Sequence, residues 1–195
     1  PLVTGVDGSV VTASPSPPIA SVRDLAGQEV FVRNSSSYYE SLVSLNEDLQ
    51  KAGKPAIRLK PAPEALEDED LLEMVNAGLV RLVVVDSHKA EFWAQIFPRL
   101  RLHRAAAVRT GADIGWAFRK QSPRLRAVVD RFVAGHRKGT SFGNQTFQRY
   151  LRNTRYVRGA LDGAEMARYE RTIAFFRKYG DRYGFDWLML TAQGY

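Results

Sequence analysis

The stretch "FVR-NSSS-YYES" sets Asn34, Ser35, Ser36 and Ser37 between a strand-forming run and the start of an amphipathic one. Serines at such a junction place hydroxyls beside the unpaired backbone N–H groups of a helix start, where the helix dipole favours an anion. A carboxylate is a natural guest. The same pattern also describes a plain cap, with Ser37 and Glu40 as a capping box and the rest as loop. A second position, Asp86, closes the apolar run "VRLVVVD" (80–86). A carboxylate at the tip of a buried strand can take an ammonium or a hydroxyl, or it can cap the helix that follows. Spacing alone leaves both pairs of readings open.

Other chemistries find less support. The serine stretch lacks the glycines and lysine of a phosphate-binding P-loop. Cysteine is absent, which removes disulfides, thiol catalysis and thiolate metal sites. His88, His103 and His136 stand far apart without helical ligand spacing, so no metal site and no cofactor are expected. The acidic run from Glu64 to Glu73 reads as a solvated helix start. Trp93, Trp116 and Trp187 could stack on sugars, but a Trp within an apolar pattern reads as core. Residues and spacing thus support a binding domain and supply no catalytic group.

Charge is unevenly spread. The net charge is +7, and residues 99–158 carry 15 Lys and Arg against two Asp and Glu. A solvated basic face explains this, because Arg124, Arg126, Arg131 and Arg137 lie opposite the stripe of Leu125, Val128, Val129, Phe132 and Val133. An anionic polymer is the rival partner, and it would bind with a steep salt dependence. No apolar run approaches the roughly 18 residues of a membrane span.

The elements that must position these groups follow from periodicity. "QEVFVR" (28–33), "AIRLK" (56–60) and "VRLVVVD" (80–86) read as strands, with "GSVVTA" as a short earlier one. Tyr38, Leu42, Leu45, Leu49 and Ala52 form one helix face ending at Gly53. Helices are predicted over 63–78 and over 87–97, the second capped by Ser87. "LRLH", "AAAVR" and "DIGWAFR" are short strand candidates. The alternation implies an α/β unit with a parallel-dominated sheet and helices on both faces. Beyond Lys120 the chain turns helical, starting at Ser122 and Pro123, and the best boundary lies near "RYVRGALDG" (155–163).

"ASVRDLAGQEVFVRNSSSYYESL" resembles the entry to the second lobe of the family-3 extracellular solute-binding proteins. "VNAGLVRLVVVDSHKAEFW" is similar to a later segment of that lobe, and "GADIGWAFRKQSPRLRAVVDRFV" to its return strand and closing helix. "KGTSFGNQTFQRYLRNTRYVRGA" with "RTIAFFRKYGDRYGFDWLMLTAQGY" resembles the approach to a soluble-lytic-transglycosylase domain. The combination resembles the membrane-bound lytic transglycosylase F family. The resemblance implies a solute-binding-like domain over 1–155, mainly a second lobe of the type II periplasmic-binding fold. A helical linker and the start of a transglycosylase domain would occupy 156–195.

It further implies a regulatory module of a peptidoglycan-cleaving enzyme in the periplasm, its parent attached to the outer membrane. Asn34 to Ser37 would meet the carboxylate of a small amphoteric ligand, an amino acid or a cell-wall peptide, and Asp86 its amino group. The arginine that pairs with such a carboxylate would belong to a first lobe outside this chain. The catalytic glutamate would follow "AQGY", so residues 1–195 are expected to be inactive alone. Tyr183–Tyr195 would open an amphipathic helix with Phe185, Leu188, Met189 and Ala192 at helical spacing; Leu188, Met189 and Leu190 would pack inside the next domain, and apolar surface left bare there and on 123–134 would favour self-association. No nucleic-acid partner is expected. The alternative is an amino-acid-binding component of an ABC transporter.

Overall fold

Leu82, Val83, Val84 and Val85 are all buried, and their side chains alternate between two separate apolar clusters. A strand covered on both faces must read as continuously apolar, which is why this run shows no polar alternation. It forms β4 (Leu82–Asp86) at the centre of a five-stranded sheet, ordered β3-β2-β4-β1-β5. The other strands are β1 (Val3–Ala13), β2 (Glu29–Arg33), β3 (Arg58–Ala62) and β5 (Leu100–Ile114). The computed structural model describes residues 2–160, 163–187, 189 and 190.

β2 pairs in parallel with β3 and with β4, whereas β1 runs antiparallel to β4 and to β5. Four strands therefore share one direction, and β1 alone opposes them. From β2 the chain crosses outward to β3 through α1 (Ser37–Lys51). It then returns past β2 to β4 through α2 (Asp68–Ala77). Crossovers of one hand running in opposite directions put their helices on opposite faces. Accordingly Leu42 and Leu49 of α1 pack with Val30, Val32 and Val84. Leu71, Leu72 and Val75 of α2, with Ala90 of α3 (Ser87–Trp93), pack with Val83 and Val85 on the other face.

The outer strands depart from expectation. β1 has 11 residues where only "GSVVTA" was expected, and "LRLH" and "AAAVR" belong to one strand of 15 residues. Between Val3 and Val10 the β1–β5 register shifts repeatedly, and Gly5 and Gly111 take φ of 69° and 67°. Bulges break the two-residue alternation, so a long strand reads as short pieces. Of "DIGWAFR", only Asp113 and Ile114 are in the strand.

Helix starts shift as well. Ser36, not Ser37, caps α1 and accepts from the Tyr39 amide. Asp86, not Ser87, is the N-cap of α3, with no side-chain cap hydrogen bond; the Ser87 hydroxyl instead accepts from the Asp7 amide. α2 begins five residues later than expected, and α3 ends at Trp93.

α4 (Pro123–His136) buries none of its residues, and α5 (Ser141–Leu151) follows it. The chain divides into two compact units, 1–152 and 153–195. The second holds α6 (Arg155–Ala160), which periodicity did not announce, and α7 (Gly163–Tyr183). Gly184, at φ 72°, follows α7, and Asp186 accepts from the Met189 amide as a new helical turn begins. Of the expected apolar face, Phe185 and Met189 are exposed, and Leu188 and Ala192 lie outside the described residues.

His103 is 5% exposed and makes a sharp statement about protonation. Its Nδ1 accepts from the Ile19 amide at 3.1 Å, and its Nε2 lies 2.8 Å from the Thr12 hydroxyl. That hydroxyl donates to Ser16, so Nε2 carries the ring proton and the imidazole is neutral. Burial holds the His103 pKa below the usual histidine value, and Arg101 adds to the effect. Burial does the same at His88, whose Nδ1 is buried without a partner.

A depressed folded pKa gives stability that is present above the unfolded value of about 6.5 and lost as pH falls through the folded one. The urea midpoint should therefore drop as pH falls below about 6.5. His103→Asn should flatten part of that slope. An equal slope in the variant would contradict the assignment.

Candidate functional site

β2 ends on Arg33 and β4 ends on Asp86, and the two strands are parallel neighbours, with Phe31 opposite Val83. After β2 the chain goes to one face of the sheet, and after β4 to the other. In open α/β sheets that divergence opens a crevice at the carboxyl ends of the strands. Here it forms a cleft of about 200 Å³ lined by Arg33, Ser36, Tyr38, Asp68, Asp86 and Lys89, with an apolar floor including Val84. A larger cavity of about 400 Å³ lies at the opposite strand ends, beside Gln28, Arg58 and Arg81. Among the described residues no helix start lines it, and the chemistry favours the smaller cleft.

Of the five residues singled out from sequence, the structure brings Ser36 and Asp86 into this cleft. Ser36 caps α1, leaving the amides of Ser37 and Tyr38 at the head of the helix. Ser37 itself is the first helical residue, and its carbonyl accepts from Ser41. Ser35 is committed elsewhere, since its amide donates to Glu64 at 3.2 Å and its hydroxyl to the same carboxylate. The Ser35 hydroxyl and amide, helped by the Asn34 amide, hold the Glu64 carboxyl below its usual range. Asn34 and Ser35 thus stand outside the cleft and brace its rim.

Four lining residues carry signals that spacing did not resolve. Arg33 donates to Asp68 at 2.7 Å and lies 3.5 Å from Glu67, and Lys89 reaches Asp68 at 2.9 Å. Asp68 is 6% exposed, so one member of the acidic run is a buried ion-pair partner and not a solvated residue. Burial opposes charge on Lys89, but Asp68 and the neighbouring carboxylates outweigh it and raise its pKa. Tyr38 begins the apolar face of α1, yet its hydroxyl donates to Asp86. Burial first, then that hydrogen bond, pushes the phenol pKa well up.

The cleft therefore offers a cationic side, made of Arg33, Lys89 and the head of α1, and an anionic corner at Asp86. Among the described residues, no cluster of three or more His, Asp or Glu is arranged to hold a metal ion. Nor is any helix long and apolar enough to cross a membrane.

No protein-family model matches the chain. Membrane-bound lytic murein transglycosylase F of Desulfosudis oleivorans is 26% identical over 182 residues, covering 89% of this chain. The same-named protein of Stutzerimonas stutzeri is 29% identical over 194 residues, covering 90%. The chain is homologous to part of these transglycosylases. It spans about a third of their length, 37% and 35% respectively.

The transglycosylase F homology extends past the first unit, because it takes in nine-tenths of the chain. The fold of that unit has its own relatives. An ancestral arginine-binding protein bound to arginine superposes with a TM-score of 0.56 at 18% identity, covering 75% of this chain and 60% of the other. The substrate binding protein of an amino acid ABC transporter gives 0.56 at 16% identity, covering 77% and 61%. The first unit thus shares the fold of part of the periplasmic amino-acid-binding proteins, as the sequence segments implied.

Proposed function

We propose that this chain is the ligand-binding, regulatory part of a periplasmic peptidoglycan lytic transglycosylase whose parent is attached to the outer membrane. Its first unit is the solute-binding-like domain, and the second leads toward the catalytic domain. The cleft takes a small amphoteric ligand, an amino acid or cell-wall peptide. The ligand carboxylate lies at the head of α1 near Arg33 and Lys89, and its ammonium at Asp86. The observation that carries this reading is the meeting of Ser36 and Asp86, fifty residues apart, in one cleft of opposite charges. Sequence homology that runs beyond the solute-binding unit favours this role over transport. The bare face of α4, where Leu125, Val128 and Phe132 are exposed, supports self-association of the isolated chain.

Calorimetric titration of a longer protein that restores the first lobe, with amino acids and short cell-wall peptides, tests the ligand class. Hydrogen bonds to charged groups contribute about 1.5–3 kcal/mol, so Asp86→Ala should weaken binding about tenfold or more. Asp86→Asn should be nearly as harmful, and Ser36→Ala milder, because backbone amides remain. Equal affinity in Asp86→Ala would reduce Asp86 to a helix cap and remove the site.

A further inference from the structure

Tyr38 is the second residue of α1, and a side chain there leans back toward the helix start. That direction carries its ring across β1 at Gly8, the residue paired with Asp86. A Cβ on Gly8 would sit 2.4 Å from Cε1 and 2.7 Å from Cδ1 of the ring. The tyrosine therefore lies in a seat that only glycine provides. From it the hydroxyl donates to Oδ1 of Asp86. The two cations lining the cleft, Arg33 and Lys89, make their ion pairs with Asp68, and neither is bonded to Asp86.

A carboxylate offers two oxygens, and a guanidinium reaches full strength only by engaging both with parallel N–H bonds. An ammonium is a compact point charge that one oxygen satisfies. With one lone pair of Oδ1 taken by Tyr38, a side-on approach that engages both oxygens is weakened, while Oδ2 stays open to a guest and the phenol oxygen adds an acceptor beside it. We propose that Tyr38 sets the head-group specificity of the cleft, so that Asp86 accepts a primary ammonium and rejects a guanidinium. The inference rests on the reading of the cleft as an amphoteric-ligand site and refines it.

Glycine and guanidinoacetate share a carboxymethyl group and differ in the cationic head, so they are the probes. Both are titrated by NMR into the chain and into its Tyr38→Phe, Asp86→Ala and Gly8→Ala variants. Phenylalanine keeps the ring on Gly8 and removes only the hydroxyl, so melting temperature should change little. The unaltered chain should prefer glycine by about tenfold or more, the worth of a lost charge-assisted pair. In Tyr38→Phe the preference should shrink to about threefold or less, chiefly because guanidinoacetate gains. Gly8→Ala, which displaces the ring, should shift the preference the same way.

An unchanged preference in Tyr38→Phe would overturn the inference and mark cavity size as the selector. Equal binding of both probes by the unaltered chain would overturn it as well. Glycine binding that survives Asp86→Ala, or no binding of either probe, would instead overturn the underlying reading of the cleft.

Discussion

Asp68→Ala should lower the unfolding free energy by about 2–4 kcal/mol, somewhat under the ~3–5 kcal/mol of breaking a fully buried ion pair by removing one partner. Asp68 is 6% exposed and receives Arg33 at 2.7 Å and Lys89 at 2.9 Å. Without it, two cations face each other with no anion between them, and the Arg33 side chain is only 20% exposed. Lys89, at 36%, can turn partly to water, which keeps the loss below the upper limit for a fully enclosed pair. Asp68→Asn should cost less, because an amide oxygen still accepts. Urea unfolding at constant pH gives the value. A loss under about 1 kcal/mol would place the cluster with solvent-screened surface pairs.

Gly143→Ala should destabilise the first unit, although alanine is the better helix former by about 1 kcal/mol. Gly143 lies in the first turn of α5, and the cap on Thr140 receives its amide. A Cβ there would stand 2.1 Å from the Arg137 carbonyl oxygen and 2.5 Å from its carbon. These are backbone atoms, so α5 must shift as a body or lose its cap. Overpacking of this kind costs about 1–3 kcal/mol, with the upper half expected where backbone is hit. Gly135→Ala is the matched control: it is exposed on α4 with nothing within 4 Å of a new Cβ. It should stabilise by about 0.5–1 kcal/mol. Two Gly→Ala changes in successive helices should thus have opposite signs by thermal unfolding. A stabilising Gly143→Ala would show that α5 does not seat on Arg137.

What was legible in sequence is what local pattern encodes. β2 and β4 stood out as short runs of apolar, β-branched residues and α1 because its apolar positions repeat at three and four residues, while Gly78 marked the end of α2, where the structure gives it a left-handed conformation. Ser36 and Asp86 were visible because strand ends and helix starts carry their own residue preferences. Arg33 was inside the quoted segment, but its partner Asp68 lies 35 residues on, in a run that looked like dipole-favoured surface charge. Tyr38 matched the core face of α1 and does pack there, so nothing local distinguished its hydroxyl. Pairings across the sheet are fixed by which strands become neighbours, and spacing along the chain carries no record of that. The long antiparallel β1–β5 pair was hidden by its bulges.

The contact between Gly8 and Tyr38 also constrains how sequences of this kind can change over time. A side chain at position 8 is tolerable only after the ring at 38 has shrunk or moved, whereas a smaller residue at 38 is tolerable with glycine still at 8. The order of substitution is thereby biased, with 38 changing before 8. Descendants with a bulky residue at 8 should lack an aromatic at 38, and the two positions should covary as one unit. Restoring tyrosine at 38 in such a descendant should be deleterious until glycine is restored at 8, a sign-dependent interaction that one steric overlap is enough to create.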